Sequence, residues 1–145
     1  MVDVVFLDFE WKPLSFLKRI KGSREVRIIF LIDEKLLTLS VELVAEKGWL
    51  GKHEIDSFVE TLKRQLERKI ETVSEEIRRV LEERKIHCEI VKRKGNMKEI
   101  LLEMASKSKG KIYVFVKRRN PLWRVVKPIL SEIAKKNKNI EVVDL

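Results

Sequence analysis

The sequence predicts an α/β fold: a three-layer, open, parallel five-stranded sheet in the order 3-2-1-4-5, covered by helices on both faces. Three observations carry this. Short runs rich in β-branched and aromatic residues alternate five times with segments of helical periodicity, the pattern left by parallel strands joined through right-handed crossovers. Three of the runs, residues 2–9, 26–32 and 112–116, are almost uninterrupted in hydrophobicity, as strands covered on both faces are. The other two, residues 86–91 and 140–145, carry His87, Glu89, Glu141 and Asp144 and read as edges. The order 2-1-3-4-5 would leave the very apolar second run on an edge.

Each element has its own signal. Residues 2–9 (VDVVFLDF) are too short for a helix and form the first strand. Leu14, Phe16, Leu17 and Ile20 at helical spacing predict a short helix over 12–21, with Pro13 in its first turn and Gly22 at its end. After the second strand, residues 33–52 fit both alternation and helical spacing; a helix ending at Gly48 is the favoured reading. From about 54 to 85, apolar residues from Ile55 through Phe58 to Leu81 step by three and four, giving one long amphipathic helix that Asp56 or Ser57 can cap. Thirty residues at 1.5 Å each reach about 45 Å, so this helix must outrun the sheet, bend or meet another subunit. The third strand, 86–91, is followed by a turn at Lys92-Arg93-Lys94-Gly95 and a helix capped by Asn96 with Glu99. The fourth strand is 112–116. A last helix starts at Leu122 or Pro128 and ends near Lys136, and residues 140–145 form the fifth strand.

The chain of 145 residues suits one domain, 44% hydrophobic and 38% charged, which is globular rather than disordered. Abundant Lys, Arg and Glu with one Gln match the composition reported for heat-adapted proteins. A net charge of +9 attracts polyanions. Cys88 is the single cysteine, so no internal disulfide forms. No apolar run reaches the roughly 18 residues of a membrane span, and no signal segment is present, so a soluble cytoplasmic protein is expected.

In the predicted sheet the connections reverse between strands one and four, and ligands bind outside the carboxyl ends of the strands there. Residues 8–13 and 117–124 would line that crevice. Lys117, Arg118, Arg119 and Arg124 concentrate positive charge beside it, and arginine forks suit phosphate oxygens. Neither loop contains a glycine, which a backbone phosphate cradle needs. The cations therefore read either as a side-chain anion site or as a charge cluster balancing Asp8, Glu10 and Asp33. Trp11 and Trp123 read as pocket fillers more than as base-stacking platforms.

The chain resembles the universal stress protein family over nearly its whole length. The resemblance rests on Asp8 closing the first strand in FLDFE, FLID ending the second, and the long helix after a variable loop. Gly95-Asn96 before the ILLEMA helix and the short terminal strand match as well. It implies a Rossmann-like fold of the adenine nucleotide alpha hydrolase type. It also implies contacts of Asp8 and Gly95 with the adenosine part of ATP or AMP, and a homodimer paired through residues 140–145. ATP-binding members follow strand four with Gly-x-x-Gly and later Gly-Ser or Gly-Thr. Here Val116, Arg119 and Trp123-Arg124 stand in those places, and the intervening loop is about six residues shorter. No cofactor is expected on that basis, and the reading is a binding or regulatory protein working through an unidentified protein partner. A nucleotide or anion held by the basic side chains is the alternative.

No catalytic constellation emerges. His87 and Cys88 are neighbours in a strand and point to opposite faces. His53 stands alone, so no metal site is expected. Asp8 and Glu10 read as ion-pair partners more readily than as catalytic carboxylates. Nucleic-acid binding draws on the net charge and on Lys92-Arg93-Lys94, Lys107, Lys109 and Lys111. It lacks surface aromatics and any DNA-reading motif, and ranks third.

Overall fold

A computed structural model describes residues 1–7, 15–44, 51–119 and 122–144, without the side chains of Ser15, Val44, Lys52 and Leu122. Five parallel strands pair in the order β3-β2-β1-β4-β5, as predicted: β1 (Val2–Phe6), β2 (Glu25–Ile32), β3 (His87–Lys94), β4 (Ile112–Val116) and β5 (Ile140–Asp144). The fold is Rossmann-like. Four α-helices accompany them: α1 (Glu34–Val44), α2 (Lys52–Glu83), α3 (Met97–Lys107) and α4 (Leu122–Lys136).

Alternation along the central strands sends side chains into two cores. Val4, Phe6, Val26, Ile28, Phe30 and Phe115 pack against the α2 face, where Leu66, Ile70, Val73, Ile77 and Leu81 supply one stripe. Val5, Ile29, Leu31, Val114 and Val116 pack against α3 and α4, through Leu101, Met104, Val126, Leu130 and Ile133. On the α2 face, register places Phe6 beside Phe30 and Phe115. The three rings stack at 5.5 and 5.4 Å, and Phe16 closes the row edge-on at 5.9 Å. Edge-to-face and offset rings suit the aromatic quadrupole.

The segment between β1 and β2 corrects one expectation. In place of a helix over 12–21, the described residues hold a single 3-10 turn, Ser15–Lys18, and Gly22 follows with φ of 87°. Residues 12–14 lie outside the described residues. The ambiguous segment after β2 is helical over α1; its predicted end at Gly48 also lies outside them.

The long helix begins at Lys52 with Gly51 as its N-cap, so Asp56 and Ser57 sit inside the helix rather than at its cap. It ends in paired backbone bonds, Ile86 N–H to Leu81 C=O at 2.9 Å and Lys85 N–H to Glu82 C=O at 3.0 Å. This is the Schellman arrangement, and Lys85 occupies with φ of 56° the place usually given to glycine. The helix outruns the sheet and lies on α1, with Lys63 Nζ 3.3 Å from Glu34. Phe58, expected in its buried stripe, is 55% exposed.

Strand β3 continues through Lys92, Arg93 and Lys94, which the sequence assigns to a turn. The turn falls on Gly95 alone, at φ of 151°, where an added Cβ would also meet Ile100. Asn96 caps α3, its Oδ1 accepting from the Glu99 amide at 3.0 Å. Helix α4 starts at Leu122 and carries Pro128 within it.

Candidate functional site

At the predicted crevice, β1 and β4 stay joined to their ends, since the Leu7 amide donates to the Phe115 carbonyl at 3.1 Å. Helix α1 leaves β2 at this end of the sheet and contacts both α2 and α4, which lie on opposite faces. It therefore crosses the carboxyl ends of the central strands. Leu36 joins the cluster of Leu7, Val116 and Val126. Leu37 and Val41 join that of Phe6, Phe16 and Phe30. The position where connections reverse is occupied by the protein's own helix.

The predicted site residues separate. Asp8, Trp11, Asn120 and Pro121 lie outside the described residues. Val116, at the first glycine place of the family pattern, is fully buried in the α3/α4 core. Arg118 turns toward β5: its amide donates to Asp144 Oδ1 at 3.0 Å, its Nε lies 3.7 Å from Oδ2, and its guanidinium sits 6.0 Å from the Trp123 ring centroid. Lys117 is half-buried and engaged, while Arg119 and Arg124 are exposed. Trp123 is half-buried against the α3/α4 core.

Gly95, by contrast, lines a cleft of about 870 Å³ at the carboxyl ends of β2 and β3, between α1, α2 and the start of α3. None of the four loop cations lines it. Its organising residue is Asp33, which the sequence offers as the end of FLID and as one of the acids that the basic loop would balance. Asp33 Oδ1 accepts from the amides of Lys35 and Leu36 at 3.0 and 3.3 Å, and Oδ2 from the Met97 amide at 2.8 Å. One buried carboxylate thus caps two helices and satisfies amides that have no intrahelical partner. An aspartate directly before a helical pattern signals the first cap; the second, 64 residues away, has no local signal.

Two of the cations lining the cleft, Lys63 and Lys94, are paired. Lys63 lies 3.0 Å from Glu60 and 3.3 Å from Glu34, and its pKa is raised, first by the Glu60 hydrogen bond. Lys94 lies 2.6 Å from Glu67, whose pKa its hydrogen bond lowers. With Ile32 and the 41% exposed Leu39 on its walls, the cleft suits a ligand with an apolar body and little net charge. Its volume falls within the usual range for small-molecule sites, about 300–1,000 Å³.

At the opposite end of the sheet, register sets Asp3, Arg27 and Glu89 side by side across β1, β2 and β3. Arg27 Nε lies 3.5 Å from Asp3 and 3.8 Å from Glu89. Asp3 is only 3% exposed, and burial pushes its carboxyl above the ordinary range against the pull of Arg27. On β3, His87 is exposed while Cys88 packs toward α2, and burial raises the thiol's pKa. Among the described residues no three His, Cys, Asp or Glu side chains form a metal-binding group, and no helix is long and apolar enough to cross a membrane. Comparison with family models, with curated proteins and with solved structures gave no match.

Proposed function

We propose that this chain is a universal-stress-protein-like binding or regulatory domain that carries out no catalysis of its own, has no ordinary ATP site, and acts through protein partners. The observation that carries the reading is the course of α1 across the carboxyl ends of the central strands. A triphosphate placed there by the usual logic of doubly wound sheets would have to displace Leu36, Leu37 and Val41 from two cores. Val116 and Arg118 add to it, because neither offers the converging backbone amides of a phosphate cradle. Calorimetric titration with ATP, ADP and AMP tests this: no heat is expected, and micromolar binding of any of them overturns it.

A second reading is favoured by the cleft beside Gly95, whose volume could hold a nucleoside-sized molecule at a place other than the predicted crevice. Gly95→Val would strain the positive-φ turn and remove such binding, a loss readable in the same titration. Homodimer formation through β5 belongs to the proposal as well. Among the described residues that strand has one neighbour, β4, and Val142 and Val143 are half-buried. Glu141 and Asp144, which could blunt the edge, are drawn to Arg19 at 3.6 Å and to Arg118. Sedimentation of a monomer at every concentration reached would overturn the dimer.

A further inference from the structure

The outward face of α4 is basic. Its inward residues Val126, Leu130 and Ile133 are buried. At 100° per residue, Arg124, Lys127, Ser131 and Lys135 fall within about 80° of arc on the opposite side. All four are exposed. Eleven steps of 1.5 Å from Arg124 to Lys135 make a stripe about 16 Å long. The helix's one acid, Glu132, lies outside that arc and is held by Lys136 at 3.2 Å, with Lys98 of α3 also acting on it. Among the described residues no carboxylate pairs with Arg124, Lys127 or Lys135. Lys63, Lys94 and Arg93 are matched by glutamates, and the exposed Arg64, Arg68 and Arg79 of α2 stand among the nine acids of that helix.

We propose that this stripe binds the phosphodiester backbone of a nucleic-acid duplex without reading its sequence. A row of cations with no interspersed acid complements a rod carrying one negative charge per about 1.7 Å of axis, and the stripe faces roughly ten such charges. The arc holds no exposed aromatic to stack a base and no Asn or Gln to read one, so a regular backbone is favoured over an unstacked single strand. It likewise presents no Leu, Phe or Trp to insert into a lipid interface, because the apolar face of α4 is spent on the core. Arg118, held by Asp144 and Trp123, stays out of the stripe.

Fluorescence anisotropy with a labelled mixed-sequence duplex of about 24 base pairs, from 25 to 200 mM salt, tests the proposal. Each backbone contact contributes about 0.9 to the slope of log K against log salt, so the three helix cations give a slope of about −2.7. The triple substitution Arg124→Gln, Lys127→Gln, Lys135→Gln is expected to shrink it by about 2.7 and to weaken binding at 50 mM salt at least about tenfold. Arg64→Gln, Arg68→Gln, Arg79→Gln removes the same charge from exposed positions of α2 and should leave the slope in place. Unchanged circular dichroism confirms that both variants fold. No binding at 25 mM salt, equal losses in the two variants, tighter binding of the single strand, or equal competition by poly-glutamate would each overturn the proposal.

Discussion

Helices α2 and α4 lie on opposite faces of one sheet and solve the same packing problem in the same way, each with one apolar stripe inward. Their outer faces differ. Over 32 residues α2 carries nine acids against seven cations, and Lys63 and Glu67 engage charges on α1, α2 and β3. Over 15 residues α4 carries four cations and one acid, and its outer arc holds three of the cations and no acid. A mixed-sign surface neutralises itself at short range, and in water its exposed pairs add little stability. A single-sign surface leaves its field directed outward, which costs some self-repulsion and draws in a polyanion. The comparison separates a face that serves the fold from one available to a partner.

Several measurements would break or sharpen this contrast. The largest effect is expected in the shared packing: Ile77→Ala in α2 and Leu130→Ala in α4, whose side chains are 0% and 1% exposed, should each lose about 2–5 kcal/mol in urea unfolding. A loss under about 1 kcal/mol at either site would mean that one helix is not anchored as described. Next comes Asp33→Ala, which strips acceptors from three amides at two helix starts. A loss of about 1–3 kcal/mol is expected, with faster hydrogen exchange at the Met97 amide; unchanged exchange there would remove the second cap.

Lys85→Gly should work the other way, raising stability by about 0.5–1 kcal/mol, because glycine accepts positive φ without the Cβ conflict. A destabilised variant would show that Lys85 contributes more through its side chain than its backbone costs. Asp3→Asn tests the amino end of the sheet by its pH dependence. The folded carboxyl holds its proton more tightly than the unfolded one, whose pKa is near 3.8. Wild-type stability therefore falls as pH rises from that value through the raised folded pKa. The substitution removes this fall, so the variant should gain on the wild type toward neutral pH. Parallel stability curves would refute the assignment. The smallest effect is expected on the outer faces: neutralising Arg124, Lys127 and Lys135 should leave the melting temperature unchanged or slightly raised at low salt. A clear drop would mean that these cations serve the fold after all.

The strand order was legible because burial on both faces leaves a continuous apolar run, and β1, β2 and β4 carry such runs while β3 and β5 do not. The Asn96 cap was legible because it closes over three residues. The extent of β3 was misread at Lys92-Arg93-Lys94, since three cations in a row look like a turn. On an edge strand they alternate outward or reach the glutamates of α2 and α3 at 3.4–3.7 Å and closer. Phe58 was misread because helical periodicity gives its angle but not where the neighbouring elements end.

By itself, then, the sequence determined the architecture and the excess of positive charge, because strand runs, helix stripes and net charge are local or additive properties of the chain. The tertiary structure decided the rest. It carried α1 across the ends of the central strands, tied Asp33 to an amide 64 residues away, and took Arg118 out of the basic loop by pairing it with Asp144. These outcomes depend on which distant groups meet, and a periodicity along one chain carries no record of that.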